Sequence, residues 1–116
     1  MSTRRRSRAT AAPKGSALLF AALGDETRLR LLSRLCERGP MSITRLTAGA
    51  DVTRQAITKH LRVMEGSGLL HSTRRGRESV WHVDQRRLEE ARGYLDLISK
   101  QWDHTLLRLR EFVENG

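Results

Sequence analysis

The stretch DVTRQAITKHLRVMEGSGLL, residues 51–70, predicts a helix with two unlike faces. Apolar side chains recur on one side at helical spacing: Ala56, Ile57, Leu61, Val63 and Met64. Basic, hydroxyl and amide side chains recur on the other: Arg54, Gln55, Thr58, Lys59 and Arg62. Thr53 or Asp51 is placed to cap the helix, and the glycines after Glu65 end it. The apolar face is therefore expected to pack against the core, and the polar face is expected to remain exposed and able to bind a partner.

Three shorter helices are predicted before this one. The first begins at Ser16, carries Leu18, Leu19, Ala22 and Leu23, and ends at Gly24. Asp25 can cap the second, residues 26–38, in which one face collects Leu29, Leu32, Leu35 and Cys36. Gly39 and Pro40 stop it. Ser42 can cap a short third helix over residues 43–49, with Ile43 and Leu46 facing inward.

Two short strands are predicted after residue 68. Residues 69–74 and 78–83 flank the turn RRGRE, in which Gly76 supplies a flexible backbone, and Trp81 and Val83 are expected to face inward. A short helix, a four-residue turn, a basic helix and a two-stranded ribbon follow the order of a winged helix-turn-helix. The predicted fold is mainly α with a small β-hairpin wing.

The remainder of the chain predicts one long helix over residues 88–114. At about 1.5 Å per residue it is roughly 40 Å long, which is longer than a domain of this size can cover. An exposed apolar stripe on such a helix predicts a partner helix, and the simplest partner is a second copy of the chain. The expected dimer interface is formed by Leu95, Ile98, Trp102, Leu106, Leu109 and Val113.

Length and charge restrict the classes of protein to consider. A chain of 116 residues supports one domain, which we assign to residues 16–116, after a disordered basic arm over residues 1–15. The arm serves either as a solubilising end or as an auxiliary phosphate-binding tail. Twenty-two Lys and Arg against thirteen Asp and Glu give a net charge of +9, concentrated in the arm and in residues 53–77. This balance favours polyanionic partners.

Several functional classes lack support in the sequence. Cys36 is the single cysteine, which excludes an internal disulfide and fits a reducing cytoplasm. No apolar run approaches the roughly 18 residues that span a bilayer, so no membrane partner is expected. Neither a phosphate loop nor a nucleophile with His and acid partners is present, so we expect neither an enzyme nor a cofactor.

Three segments resemble the ArsR/SmtB family of bacterial transcriptional repressors. They are LGDETRLRLLSRL, VTRQAITKHLRVMEGSGLL and RRGRESVWHV, and the similarity covers about residues 20–83 strongly and the last helix more loosely. The resemblance implies a homodimer that inserts one recognition helix per subunit into successive major grooves of a pseudo-palindromic DNA operator, often at its own promoter. The alternative is a winged helix that binds RNA or docks a protein.

The family's DNA-binding positions carry over to nine residues. Those on the recognition helix, residues 53–65, and on the wing are Thr53, Arg54, Gln55, Thr58, Lys59, Arg62, Arg74, Arg75 and Arg77. Arginine bridges guanine and glutamine bridges adenine, so Arg54 and Gln55 are expected to read bases, although Arg54 lies where a phosphate contact is the alternative. Thr, Lys and the wing arginines are suited to phosphates.

The family's metal-binding positions are not matched. Relatives use a Cys-x-Cys pair where this chain reads MSITRL, or spaced ligands where Asp103 and His104 are adjacent, so the chain resembles the branch that lacks metal ligands and no metal is expected. His60 is expected to be a structural partner. Cys36 is expected to be buried, with redox sensing as the alternative. Tyr94, Trp102 and Phe112 are expected to pack at the interface rather than to bind an aromatic effector. The inducer, the operator sequence and the direction of regulation do not follow from the sequence.

Overall fold

A computed structural model of the chain describes residues 15–115. Within that range there are five helices, two strands of six residues and one strand of two residues. The elements in chain order are α1 Ser16–Leu23, α2 Glu26–Arg38, β1 Met41–Ser42, α3 Ile43–Thr47, α4 Arg54–Gly66, β2 Leu70–Arg75, β3 Glu78–Val83 and α5 Gln85–Asn115. The predicted class, mainly α with a β-hairpin wing, is confirmed. The predicted arm lies outside the described residues except for Gly15, which precedes α1. No helix within residues 15–115 is long and apolar enough to cross a membrane.

The sheet has three antiparallel strands in the order β1-β3-β2, so the wing hairpin is extended by a strand that the sequence did not predict. Met41 pairs with Trp81, and Ser42 pairs with Val80. Two residues are too few to show an alternating pattern, which is why β1 escapes sequence analysis. At the far end, Gly76 has φ 62 and allows the chain to reverse between β2 and β3.

Every described helix contributes to one core. The buried hydrophobic residues are Leu19, Ala22, Leu31, Leu32, Leu35, Met41, Ile43, Leu46, Ile57, Leu61, Met64, Leu69, Leu70, Trp81 and Ala91. Two leucines expected inside are exposed, Leu18 at 57% and Leu29 at 50%. The apolar stripe of each short helix is wider than the sector that its neighbours cover, so residues at the edge of the stripe face outward.

Side-chain caps fix where the helices begin. Asp25 accepts a hydrogen bond from the backbone N–H of Arg28, at 3.0 Å, and starts α2 as predicted. Ser42 accepts from the backbone N–H of Arg45, at 3.3 Å, and starts α3. The long helix α5 begins earlier than predicted because Asp84 caps it, accepting from the backbone N–H of Arg87 at 3.0 Å.

Asp84 also joins the wing to α5. Its Oδ2 lies 2.7 Å from Nε2 of His71 on β2, while its Oδ1 caps α5. The hydrogen bond from His71, followed by the one from the backbone of Arg87, lowers the pKa of the Asp84 carboxyl below its ordinary value of 3.8. The ionised carboxylate is therefore the form that stabilises this junction.

We predict that Asp84→Ala lowers the free energy of unfolding by about 1 kcal/mol at neutral pH, the usual effect of losing a helix cap. A carboxylate whose pKa is depressed by folding stabilises the protein above its unfolded pKa and stops doing so as the pH falls through the folded pKa. The difference between the variant and the wild type should therefore shrink below about pH 3.8. Urea unfolding followed by circular dichroism measures it, with the exposed Asp96→Ala as the control. A difference that does not shrink as the pH is lowered would contradict the assignment.

Candidate nucleic-acid interface

The helix α4 is anchored by one face and open on the other. Ile57, Leu61 and Met64 are almost completely buried. Most of the predicted DNA-contacting side chains on the opposite arc are exposed, with Thr58 partly covered: Arg54, Gln55, Thr58, Lys59 and Arg62. Val63 was expected on the packed face, but it is 42% exposed. It precedes Met64 by one residue and so points about 100° away from it around the helix.

Thr53 caps the amino end of α4, which decides between the two candidates for that role. Its Oγ1 accepts a hydrogen bond from the backbone N–H of Ala56 at 3.1 Å. Because the hydroxyl oxygen accepts this bond, the hydroxyl proton remains able to donate to an outside acceptor. The amino end of a helix carries a partial positive charge, so this turn, with Arg54 and Gln55, favours an anionic partner.

Arg62 is already engaged within the chain. Its Nη1 lies 3.0 Å from Oε1 of Glu65, and its guanidinium carbon lies 5.4 Å from the centre of the Trp81 ring. Glu65 in turn accepts from the hydroxyl of Ser72 on β2, at 3.4 Å. The sequence analysis did not identify Glu65 as part of this surface, although its spacing of three residues from Arg62 is a signal for such a pair. Arg62 therefore ties the open face of α4 to the wing.

The three wing arginines project in different directions. Side chains alternate along a strand, so Arg74 shares its sheet face with Ser72, which contacts α4, while Arg75 shares the opposite face with His71. Arg77 lies in the turn at the tip. All three are exposed. Of the two strand arginines, Arg74 is thus the one on the face of the sheet that lies toward α4.

His60 supports α4 from behind. Its Nδ1 lies 3.2 Å from Nη1 of Arg28 and 3.8 Å from Oδ2 of Asp25. These contacts connect α4 with the start of α2 and give His60 the structural role that was predicted. The hydrogen bond from the backbone of Arg28, assisted by the charges of His60 and Arg28, lowers the pKa of the Asp25 carboxyl.

The long helix α5 is covered in its first half and bare in its second. Ala91 is buried, whereas large apolar side chains farther along are more than half exposed: Leu95, Trp102, Leu106, Leu107, Leu109, Phe112 and Val113. Ile98 is half-buried. Tyr94 packs its ring 5.7 Å from that of Phe20 on α1, within the same chain.

Cys36 is exposed, contrary to the expectation of a small buried residue. It lies in the last turn of α2, where it points about 100° away from the buried Leu35, and it borders an open pocket of about 470 Å³ beside Pro40, His82 and Leu88. The rings of His71 and His82 lie 5.8 Å apart on paired strands. Within the described part of the chain, no group of three or more His, Cys, Asp or Glu side chains is arranged to hold a metal ion.

Comparison with known proteins agrees with this geometry. A family model described as a helix-turn-helix domain matches residues 23–73, from the end of α1 into β2. The arsenical resistance operon repressor of Bacillus subtilis (strain 168) is 30% identical, and the match covers 66% of this chain and 70% of that one. An ArsR-like transcriptional regulator from Rhodococcus sp. RHA1 is 35% identical, with a TM-score of 0.69 over 84% of this chain and 92% of that one. The chain belongs to the ArsR family.

Membership of the ArsR family makes this chain a transcriptional regulator with a DNA-binding winged helix-turn-helix, and not an enzyme, as the sequence predicted. A further relative, the uncharacterized HTH-type transcriptional regulator YuzN of Bacillus subtilis (strain 168), is 43% identical over 53% of this chain and 74% of its own. In this ArsR-family chain, α4 is the recognition helix, and the hairpin of β2 and β3 is the wing.

Proposed function

We propose that this protein is a homodimeric repressor that binds a pseudo-palindromic DNA operator, with its own promoter among the candidate targets. The observation that carries the proposal is the open, basic face of α4, which is capped by Thr53 and followed in the chain by a wing with exposed arginines. Within residues 53–77 there are six Lys and Arg against one acidic residue, Glu65. Such a surface fits the phosphates and base edges of duplex DNA.

Different side chains of this surface suit different parts of the DNA. A helix of 13 residues, about 20 Å long, fits the major groove. Gln55 can bridge N6 and N7 of adenine, and Arg54 can bridge O6 and N7 of guanine. Phosphates next to these bases would be contacted by Thr53, Thr58, Lys59 and Arg62. The wing arginines would extend these contacts along the DNA backbone.

The direction of regulation is proposed from a relative. The protein of Bacillus subtilis that is 30% identical is named an arsenical resistance operon repressor. A dimer bound across a promoter covers DNA that transcription needs, so binding alone is sufficient for repression. The cytoplasm, where bacterial DNA lies, is the proposed compartment.

The exposed stripe of α5 supports the homodimer. Leu95, Trp102, Leu106, Leu109 and Val113 are each more than half exposed and recur at helical spacing. Two copies that cover this stripe mutually would form a symmetric interface. The dimer would present two copies of α4, which read half-sites about 34 Å apart, one turn of the DNA helix.

Alanine substitutions can distinguish side chains that recognise bases from side chains that contact phosphates. Gln55→Ala and Arg54→Ala should each cost about 1 to 3 kcal/mol on the preferred operator and little on scrambled duplex. Arg74→Ala and Arg77→Ala should weaken binding to both duplexes by similar factors and reduce the salt slope by about one unit per lost phosphate contact. Arg75→Ala should cost less than Arg74→Ala, because Arg75 projects from the other face of the sheet.

The measurement is a fluorescence anisotropy titration at several salt concentrations. The operator is the duplex that the wild-type protein enriches from a random library, and the competitor is the same duplex scrambled. If Gln55→Ala lost affinity equally on both duplexes, α4 would not be the reader of sequence. Preference of the wild type for structured RNA over every duplex would favour the alternative, an RNA-binding winged helix.

Charged substitutions on the exposed stripe of α5 test the proposed dimer. Leu106→Glu combined with Leu109→Glu should yield monomers at micromolar concentration, because both side chains lie on the exposed stripe. Operator affinity should then fall at least about tenfold, since the two half-sites are no longer bound by one linked particle. Light scattering measures the mass.

Leu107→Glu is the matched control for this experiment. Leu107 is 52% exposed, much like Leu109 at 54%, but it points about 160° away from Leu109 around the helix. It should leave the dimer intact. A wild-type protein that scatters light as a monomer, or a control variant that dissociates equally, would count against the stripe as the interface.

A further inference from the structure

The guanidinium of Arg87 on α5 bonds to the end of α4 and to the start of α1. Arg87 lies in the first turn of α5, and its side chain is 16% exposed. Its Nε donates to the carbonyl of Ser67 at 3.0 Å, its Nη2 donates to the carbonyl of Gly15 at 2.8 Å, and its Nη1 pairs with Glu90 at 2.8 Å. Ser67 is the C-cap of α4, and Gly15 is the N-cap of α1.

The contact with Ser67 supplies a charge that α4 lacks. The carboxyl end of a helix carries a partial negative charge that basic residues of its last turn commonly balance. The last turn of α4 contains no basic residue. Arg87 therefore provides from α5 the cation that the end of the recognition helix does not provide for itself.

The chain is shaped to admit the Arg87 side chain at two places. Gly15 and Gly68 both have positive φ, at 78 and 87. A Cβ added to Gly15 would lie 2.8 Å from Nη2 of Arg87, and one added to Gly68 would lie 3.2 Å from its Nε. Glycine thus permits both the backbone conformation and the close approach of the guanidinium.

The position of this contact matters because α4 and α5 have few other strong connections. The recognition helix packs chiefly on α1, α2, α3 and β2, whereas α5 packs chiefly on α1. Arg87 bonds to the start of α1 and to the end of α4 with the same guanidinium. A tilt of about 10° at that end would move the amino end of a helix about 20 Å long by roughly 3 Å, a distance comparable with one base-pair step.

We propose that Arg87 is a positioning residue that sets the angle between the recognition helix α4 and the dimer helix α5, and thereby the spacing of half-sites that the dimer accepts. This inference rests on the proposed function, because spacing has meaning only for a dimer on a two-fold operator. Arg87 itself touches no DNA. It holds α4 so that two copies reach successive major grooves together.

The test compares Arg87→Met, which retains the length of the apolar stem and removes the hydrogen bonds, with the wild type on three duplexes. They are the enriched operator, the same operator with one base pair inserted between the half-sites, and a single half-site. The wild type should lose about tenfold in affinity on the lengthened operator, because the linkage between half-sites is lost. Arg87→Met should bind the original operator about tenfold more weakly and discriminate little between the two spacings. Its affinity for the single half-site should stay within about twofold of the wild type.

Two further variants separate positioning from general stability. Arg87→Lys should lie between the wild type and Arg87→Met, because one ammonium cannot bond both carbonyls in the planar geometry of a guanidinium. Arg92→Met is the control, since Arg92 is an exposed arginine of the same helix whose contact with Glu89 is 4.0 Å long. It should behave as the wild type. If Arg87→Met kept the wild-type spacing preference, or lost as much on the half-site as on the operator, the proposal would be overturned.

A second measurement needs no DNA, so it tests the positioning role of Arg87 even if no operator is enriched. Spin labels are attached at Lys59→Cys on α4 and Asp96→Cys on α5, in a Cys36→Ser background, and the labelled chain is diluted with unlabelled protein so that distances arise within one protomer. The wild type should give one narrow distance distribution, and Arg87→Met should give a broader one in a chain that still shows helical circular dichroism. Equal distributions would refute the role of Arg87. Failure to enrich an inverted repeat would instead refute the proposed operator binding.

Discussion

The burial of Trp81 in the central strand fixes how the sheet is paired and therefore which side chains face α4. Its side chain is 2% exposed, and in the sheet it lies between Met41 of β1 and Ser72 of β2. A slip of one residue in the pairing of β3 would turn this indole to solvent, so burial of the ring fixes the register of the whole sheet. The same register decides that Arg74, and not Arg75, faces the side of α4. The direction of the wing cations is therefore set by an apolar residue of the core.

Charge is distributed differently over the two surfaces that the proposed function uses. On α5, three arginines pair with acidic residues about one turn away: Arg87 with Glu90, Arg92 with Glu89, and Arg110 with Glu114. A helix balanced in this way can approach a second copy with little repulsion. On α4 and the wing, Glu65 is the acid that pairs with Arg62, and the remaining cations there face outward. The first arrangement suits self-association, and the second suits a polyanion.

Local signals in the sequence were sufficient for most of the fold. The caps at Asp25 and Ser42 and the glycine of the wing turn each act over a few residues, and each was predicted correctly. The cap of α4 was narrowed to Thr53 or Asp51, and its two-sided pattern was predicted except for the exposed Val63. Features that depend on distant parts of the chain were missed. The strand β1 forms because β3 lies beside it, and Cys36 is exposed because neighbouring elements cover the side of α2 that carries Leu35 and not the side that carries Cys36. The role of Arg87 becomes visible only when Ser67 is folded next to it. The candidate DNA surface was easier to predict than the contacts that orient it. Most of its residues lie on one helix, whereas the orienting contacts join residues that are far apart in the sequence.

The heptad spacing of α5 connects core packing with assembly. Leu88, Leu95, Trp102 and Leu109 are separated by seven residues, and the first of them packs against the core of its own chain while the last three are exposed. A seam of period seven drifts by about 20° per heptad on a straight helix, so the face that meets the core and the face that meets a partner are nearly, but not fully, aligned. Rotation of α5 that improves one contact therefore changes the other. Because Arg87 lies in the first turn of this helix and bonds to the end of α4, the proposed role of Arg87 would transmit such a rotation to the recognition helix. The fit of the proposed dimer to DNA would then depend on the packing of the whole chain, and not on the proposed DNA-contacting residues alone.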